Sequence, residues 1–203
     1  MKNRFGSTNE IGLFEMKSNG IFPVDNPSEM FLSARNEPVS GSGVICAIEG
    51  SRPVLIEMQA LVSTTSFGMP RRQASGVDYN RLLLVTAVLE KKMHLALGNQ
   101  DIYVNLAGGL RVDEPAADLG LAMTIVSGFR NRPIPLGTVC IGEVGLTGEV
   151  RAVPQMERRI NECLKLGFTT CVLPKDSMRG LGKIEGMELI PVSHVGDALE
   201  KMV

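Results

Sequence analysis

The sequence contains no tryptophan, two tyrosines and seven phenylalanines. It has no apolar run close to the roughly 18 residues that a membrane-spanning helix needs. The scarcity of rings predicts an aliphatic core, and it argues against an exposed aromatic platform for single-stranded nucleic acid. The first residues lack the charged and apolar regions of a secretory signal. We therefore expect a globular cytoplasmic protein with no membrane segment.

Metal-binding and disulfide patterns are also scarce. The four cysteines, Cys46, Cys140, Cys163 and Cys171, form no C-x-x-C pair, and the sequence has two histidines. Zinc sites of the usual spacing are thereby excluded. Because Cys46 and Cys140 lie in apolar runs typical of strands, we expect buried, reduced thiols.

The length and charge fit one large domain. The chain has 203 residues, of which 44% are hydrophobic and 21% charged. Its net charge of −1 does not by itself indicate a nucleic-acid partner. The charge is uneven, however, since residues 71–111 hold six basic and three acidic residues. This basic middle segment is the one compositional hint of a phosphate-binding surface.

Hydrophobic periodicity predicts a mixture of strands and helices. The predicted helices cover 77–93, 115–129, 154–166 and 194–202, and the predicted strands cover 11–17, 43–48, 54–62, 101–106, 138–144, 149–153, 169–173 and 187–192. The polar stretch 63–76 is expected to be a long loop. This pattern favours an α+β (mixed α/β) domain over 11–203, preceded by a short polar arm at 1–10.

The polar arm carries a pentapeptide, K-N-R-F-G at 2–6, that the folding of this domain does not require. It resembles the signature of the bacterial RadA/Sms recombination proteins, in which the motif ends a RecA-like ATPase core and precedes a Lon-protease-like domain. The resemblance implies that Lys2 and Arg4 sense nucleotide bound to a neighbouring subunit. A solvated linker is the alternative interpretation of the arm.

Most of the remaining chain resembles the proteolytic domain of Lon. Residues 113–117 match the Lon pattern D-G-P-S-A, residues 142–148 match G-E-[VI]-x-L-x-G, and residues 154–159 lie over G-G-L-K-E-K. With neighbouring strands, the similarity covers roughly residues 40–203. It implies the Lon-protease-like fold, of the type of domain 2 of ribosomal protein S5.

Two departures from the Lon pattern concern its chemistry. Ala116 stands where the pattern has the serine nucleophile, and Arg159 stands where it has the lysine base. A methyl group cannot attack a peptide bond, and a guanidinium does not deprotonate in proteins. We therefore expect no catalytic residues. Arg159 is expected to form a salt bridge with a nearby acid such as Glu143 or Asp118.

The basic middle segment supplies the DNA-binding candidates. Arg71 and Arg72 rank first because a basic loop containing Pro and Gly can follow phosphates. Arg111 ranks next, followed by Lys91 and Lys92, which also fit a solvated helix face. In a ring, six copies would multiply the local excess of positive charge into a collar facing DNA.

Taken with these candidates, the resemblance implies a protease-inactive scaffold and DNA-contacting domain. The parent would be a hexameric, DNA-dependent ATPase acting in branch migration, recombination and DNA repair. Its partners would be copies of itself, single-stranded or branched DNA, and the RecA recombinase. The chain lacks G-x-x-x-x-G-K-[ST], so ATP with Mg²⁺, and zinc, are expected only in upstream domains. The alternatives are a pure oligomerisation module without DNA contact and an active Lon-like peptidase.

Overall fold

The fold comes from a computed structural model that describes residues 14–23, 28, 31–32, 37–66 and 68–203. Its strands are β1 (Phe14–Lys17), β2 (Gly20–Pro23), β3 (Ser42–Glu49), β4 (Arg52–Thr64), β5 (Arg72–Ser75), β6 (Gln100–Leu106), β7 (Thr138–Cys140), β8 (Glu143–Val144), β9 (Val150–Arg151), β10 (Thr170–Pro174) and β11 (Glu188–Val192). The α-helices are α1 (Tyr79–Met93), α2 (Asp118–Arg130), α3 (Met156–Lys165) and α4 (Val195–Met202), and short 3-10 turns lie at Ala107–Gly109, Pro115–Ala117 and Lys175–Met178. None of these helices is long and apolar enough to cross a membrane.

Two sheets organise the described part of the chain. The larger sheet has the strand order β3-β4-β6-β5, with antiparallel pairing except between β5 and β6, which are parallel and joined by α1. The smaller sheet has the order β11-β10-β7 and is parallel throughout. Two-stranded hairpins, β1–β2 and β8–β9, complete the strand pairing.

Alternation along the strands decides which face of the larger sheet is buried. Ile45, Ile56 and Ile102 point to one face and belong to the same apolar cluster as residues of α1, α2 and α4. α2 approaches β3 closely at Gly120, where a Cβ atom would collide with the side chain of Ile45. A glycine is therefore needed at that position for helix and sheet to pack.

The opposite face of the larger sheet is only half covered. Helix α3 packs over β3 and the first half of β4, and over β7 and β10, through a second cluster that includes Leu55, Ile160 and Cys163. No described helix covers the rest, which we call the open face. Its side chains come from three adjacent strands: Gln59, Leu61, Ser63, Gln73, Ser75, Tyr103 and Asn105.

The predicted α+β class is confirmed, and so are the four predicted helices. The predicted strands at 43–48 and 54–62 are present and pair as the β3–β4 hairpin, and the predicted burial of the cysteines is confirmed; burial raises the pKa of the Cys140 thiol to about 12. The predicted strand at 138–144 is instead two strands, because the Gly142 N–H leaves the ladder and donates to the Ala116 carbonyl. The signature at 2–6, with Lys2 and Arg4, lies outside the described residues.

The predicted loop at 63–76 is wrong at both ends. β4 continues to Thr64, and β5 pairs with β6 from Arg72 to Ser75. β5 is an edge strand with one apolar residue, Ala74, which packs against the apolar cluster, while Gln73 and Ser75 are exposed. Such a strand has no apolar run by which the sequence could reveal it.

Candidate functional site

The position of the Lon nucleophile lies in the 3-10 turn that leads into α2. Ala116 is 2% exposed and belongs to the same apolar cluster as Met156 and Ile160. Its carbonyl accepts the Gly142 N–H at 2.9 Å, which fixes the turn against the β7–β8 connection. The turn at the position of the Lon nucleophile is thus held in place, and its side chain at 116 is an unreactive methyl group.

The position of the Lon base is filled by a guanidinium enclosed in the protein. Arg159 is 1% exposed and lies on the inner face of α3. Its Nη1 and Nη2 donate to the two carboxylate oxygens of Glu114 at 2.8 and 2.7 Å, and its Nε donates to the Pro154 carbonyl at 3.1 Å. Nη1 also donates to the Cys46 carbonyl. All three guanidinium nitrogens therefore have protein acceptors.

The predicted salt bridge of Arg159 is confirmed, but both suggested partners are wrong. Asp118 opens α2 and accepts from Arg81 Nε at 3.0 Å, on the side of α1. Glu143 lies in β8 and pairs with Arg151 at 3.3 Å. Glu114 is the partner because it precedes the 3-10 turn on the side facing α3.

Glu114 is the site residue that the sequence analysis missed. It stands where the quoted pattern D-G-P-S-A has glycine, so a charged residue in place of a glycine was the available signal. Its Oε1 also accepts the Ile48 N–H at 2.7 Å. Together, Glu114 and Arg159 form hydrogen bonds with the Ile48 N–H and the Cys46 carbonyl on the outer edge of β3. On an edge strand, such backbone groups are otherwise available for pairing with another strand.

Four of the five DNA-binding candidates lie at one end of the larger sheet. Arg72 begins β5 and Arg71 directly precedes it, and β6 begins beside them because the two strands are parallel. Lys91 and Lys92 are exposed in the last turn of α1, which runs back to the start of β6. We call this the basic end.

Arg111 lies elsewhere. It follows the far end of β6, so the length of that strand, about 20 Å, separates it from the basic end. Its Nε donates to both carboxylate oxygens of Asp113 at 3.0 Å. The hydrogen bond and negative charge of Asp113 raise the pKa of Arg111, so its charge is stable but locally neutralised.

Arg72 and Arg71 differ although they are neighbours. The Arg72 guanidinium donates to the carbonyls of Leu97 at 2.9 Å and Arg71 at 3.1 Å, and also to that of Gln100. It thereby ties β5 to the loop between α1 and β6. The Arg71 side chain is exposed at the rim, while its backbone N–H donates to Asp101 at 2.8 Å.

Two further cations near this end were missed by the sequence analysis. Arg130 and Arg132 flank the C-terminus of α2, where Gly128 packs against Ala60 and Val62 late in β4. The last residues of β4 pair with the start of β6, so both arginines lie toward the basic end. Sequence periodicity marked them only as a helix terminus.

Metal ions have no evident place among these residues. Within the described ranges, no group of three or more His, Cys, Asp or Glu side chains is arranged to hold one.

Comparison with known proteins gives one family model and several close relatives. Residues 64–177 match the family described as subunit ChlI of Mg-chelatase. The chain is 56% identical over 200 residues to the DNA repair protein RadA of Halalkalibacterium halodurans and 51% identical over 199 residues to that of Bacillus subtilis. It is also 50% identical over 202 residues to that of Listeria monocytogenes. These alignments cover 98–99% of this chain but 43–44% of each relative, so the chain spans less than half of their length.

Proposed function

The chain belongs to the family of the DNA repair protein RadA and, over residues 64–177, to the family described as subunit ChlI of Mg-chelatase; from this premise we propose that it is a protease-inactive, DNA-contacting scaffold domain. The whole protein would be a cytoplasmic, hexameric, DNA-dependent ATPase acting in branch migration and recombinational repair. Its ATP, Mg²⁺ and zinc would be held by other domains. Lys2 and Arg4 would sense nucleotide across a subunit boundary, and RecA recombinase would be a further partner.

The main support for DNA contact is the set of exposed cations at the basic end. Arg71, Lys91 and Lys92 expose positive charge there, and Arg130 and Arg132 lie toward it. Cations that converge on one surface bind phosphates regardless of the net charge of the domain. A net charge of −1 is therefore compatible with a local DNA-binding surface.

The scaffold role is supported by the residues at the positions of the Lon nucleophile and base, Ala116 and Arg159, which we call the Lon-like site. Ala116 offers no nucleophile, and the guanidinium of Arg159 is held by Glu114 and two backbone carbonyls. These groups stabilise the contact between β3, the 3-10 turn and α3. We infer that the site contributes rigidity to the domain and no peptide hydrolysis.

A pure oligomerisation module is the second candidate, and the near-neutral net charge favours it. The two candidates make different predictions for salt. A DNA-contacting domain loses affinity steeply as salt rises, because bound cations displace counterions from the phosphates. An assembly module self-associates without binding DNA.

The decisive experiment is a salt titration of DNA binding. We expect the chain to raise the fluorescence anisotropy of labelled single-stranded and branched DNA. The triple variant Arg71→Ala, Lys91→Ala, Lys92→Ala should lower the slope of log affinity against log salt by roughly 0.7 per lost contact on a single strand and roughly 0.9 on duplex. Light scattering at increasing concentration reports self-association in the same samples.

Arg111→Ala is the matched control, because it removes one cation from the opposite end, where Asp113 already neutralises it. It should change the slope less than Arg71→Ala does. Salt-independent or absent binding by the unaltered chain, together with concentration-dependent assembly, would favour the pure oligomerisation module. Unchanged affinity and slope in the triple variant would remove DNA contact from the basic end.

A further inference from the structure

The open face is the largest part of the larger sheet that no described helix covers. Its centre is Tyr103 of β6, which is paired with Leu61 of β4 on one side and with Gln73 of β5 on the other. Leu61 is 64% exposed and Tyr103 is partly exposed. An exposed leucine beside a tyrosine in the middle of a sheet forms an apolar strip whose contact with water is unfavourable.

Neutral hydrogen-bonding side chains surround this strip. They are Gln59, Ser63, Gln73, Ser75 and Asn105, and each can donate and accept hydrogen bonds. Base edges present the same mixture of donors and acceptors. A ring flanked by amides and hydroxyls is thus suited to a base that stacks on one side and hydrogen-bonds at its edge.

The charges around the open face also suit a nucleic acid. Glu57 of β4 and Asp101 of β6 face this side of the sheet, and they are 3% and 7% exposed, so neither carboxylate presents negative charge to a ligand. Asp101 accepts the Arg71 N–H, which places Arg71 at the rim of the same face. The open face is therefore continuous with the basic end.

We propose that the open face binds the bases of single-stranded DNA, with Tyr103 as the stacking residue and Arg71 as the phosphate contact at its rim. The proposal rests on the DNA contact proposed above, and it names the strandedness and the base-contacting surface. Bases in a duplex are stacked on each other and do not present their faces to a flat sheet. The low aromatic content argues against an extended aromatic platform, yet the single Tyr103 ring on the open face is enough for one stacking site.

The tyrosine content makes a direct test possible. The chain has two tyrosines and no tryptophan, and the second tyrosine, Tyr79, lies at the start of α1. In the variant Tyr79→Phe, Tyr103 is therefore the sole tyrosine fluorophore. Titration with oligothymidylate should quench its emission, whereas the variant Tyr103→Phe, which retains Tyr79 alone, should show little quenching.

Affinity provides the second readout. Loss of one base–aromatic stack corresponds to roughly 5- to 150-fold weaker binding. Tyr103→Ala should weaken oligothymidylate binding in anisotropy by that factor, Tyr103→Phe should retain affinity, and duplex affinity should change much less. Far-UV circular dichroism and the unfolding midpoint of each variant confirm that the sheet is intact.

The outcomes separate this inference from the proposed function. If oligothymidylate binds with the expected salt dependence but neither Tyr103 emission nor Tyr103→Ala affinity changes, the open face is not the base-binding surface and DNA contact at the basic end stands. If no DNA binds at any salt concentration, both proposals fail. If Leu61→Asp abolishes self-association and leaves oligothymidylate binding intact, the open face joins copies of this chain, and the inference is overturned.

Discussion

The Lon-like site and the open face lie on the same side of one sheet, and they treat polar groups in opposite ways. At the Lon-like site, Arg159 is buried and every nitrogen of its guanidinium meets a protein acceptor. On the open face, amides, hydroxyls and the Tyr103 ring come together with no described helix above them. One region has used its hydrogen-bonding capacity internally, whereas the other presents it to solvent.

This difference is why we place the proposed DNA contact on the open face and the basic end, and propose a structural role for the Lon-like site. A site for catalysis needs groups that can change partners or protonation state during a reaction. Glu114 and Arg159 can do neither without leaving a buried charge without its partner. Binding needs accessible groups, and the open face and the basic end both present them.

The largest expected effect comes from breaking the buried ion pair. Glu114→Ala leaves the Arg159 guanidinium buried without a counter-charge and leaves the Ile48 N–H without its acceptor. Removing one partner of a buried pair typically costs about 3–5 kcal/mol of unfolding free energy. Urea unfolding followed by circular dichroism measures this loss.

Asp113→Ala is the matched control for that variant, since it removes the neighbouring carboxylate from the exposed pair with Arg111. Exposed pairs contribute little, because water and salt screen them. A large loss of stability in Asp113→Ala, or none in Glu114→Ala, would contradict the assignment of the two pairs to buried and exposed surroundings.

A smaller loss of stability is expected from Arg72→Ala, and it tests whether Arg72 has a structural role or belongs to the DNA-binding surface. Its guanidinium donates to the carbonyls of Leu97, Gln100 and Arg71, so Arg72→Ala removes three charge-assisted hydrogen bonds that tie β5 to the loop between α1 and β6. We expect a loss of about 1.5–3 kcal/mol of unfolding free energy, by the usual value for hydrogen bonds to charged groups. Arg72→Lys should not restore it, since an ammonium lacks the planar fork. Urea unfolding gives the stability, and anisotropy gives the DNA affinity.

Arg71→Ala provides the comparison, because its side chain lies at the exposed rim. We expect Arg71→Ala to reduce DNA affinity more than stability, and Arg72→Ala to do the reverse. If both variants lose DNA affinity equally while remaining equally stable, Arg71 and Arg72 contribute equally to DNA binding, as the sequence analysis predicts.

Much of the fold was predictable from local patterns. The apolar runs of β3 and β4 and the helical spacing in α1 are strong signals, because each element buries a continuous stripe of side chains. An Asp directly before a helical run is a further local signal, and the Asp78 side chain caps α1 by accepting the Arg81 N–H at 3.0 Å. These signals act within a few residues and do not depend on the rest of the fold.

The partners of the site were less predictable, because they depend on contacts distant in sequence. Arg159 and Glu114 are 45 residues apart, and only the packing of α3 against β3 brings them together. The open face required knowledge of which half of the sheet α3 covers. β5 was missed for a related reason. It is a strand because it pairs with β6, and it has no apolar run of its own from which a strand could be predicted.

The smallest expected effect is the absence of any gained activity when the nucleophile is restored. Ala116→Ser places a hydroxyl in the 3-10 turn, but the position of the Lon base holds Arg159, and a guanidinium does not accept a proton in proteins. Adding Arg159→Lys should also fail, because the Glu114 carboxylate beside position 159 would favour the charged ammonium over the neutral amine. We expect fluorogenic-peptide hydrolysis by both variants to equal that of the unaltered chain. Turnover above that level, abolished by a serine-directed fluorophosphonate, would mean that the Lon-like site is closed by the missing hydroxyl alone and not by its ion pair.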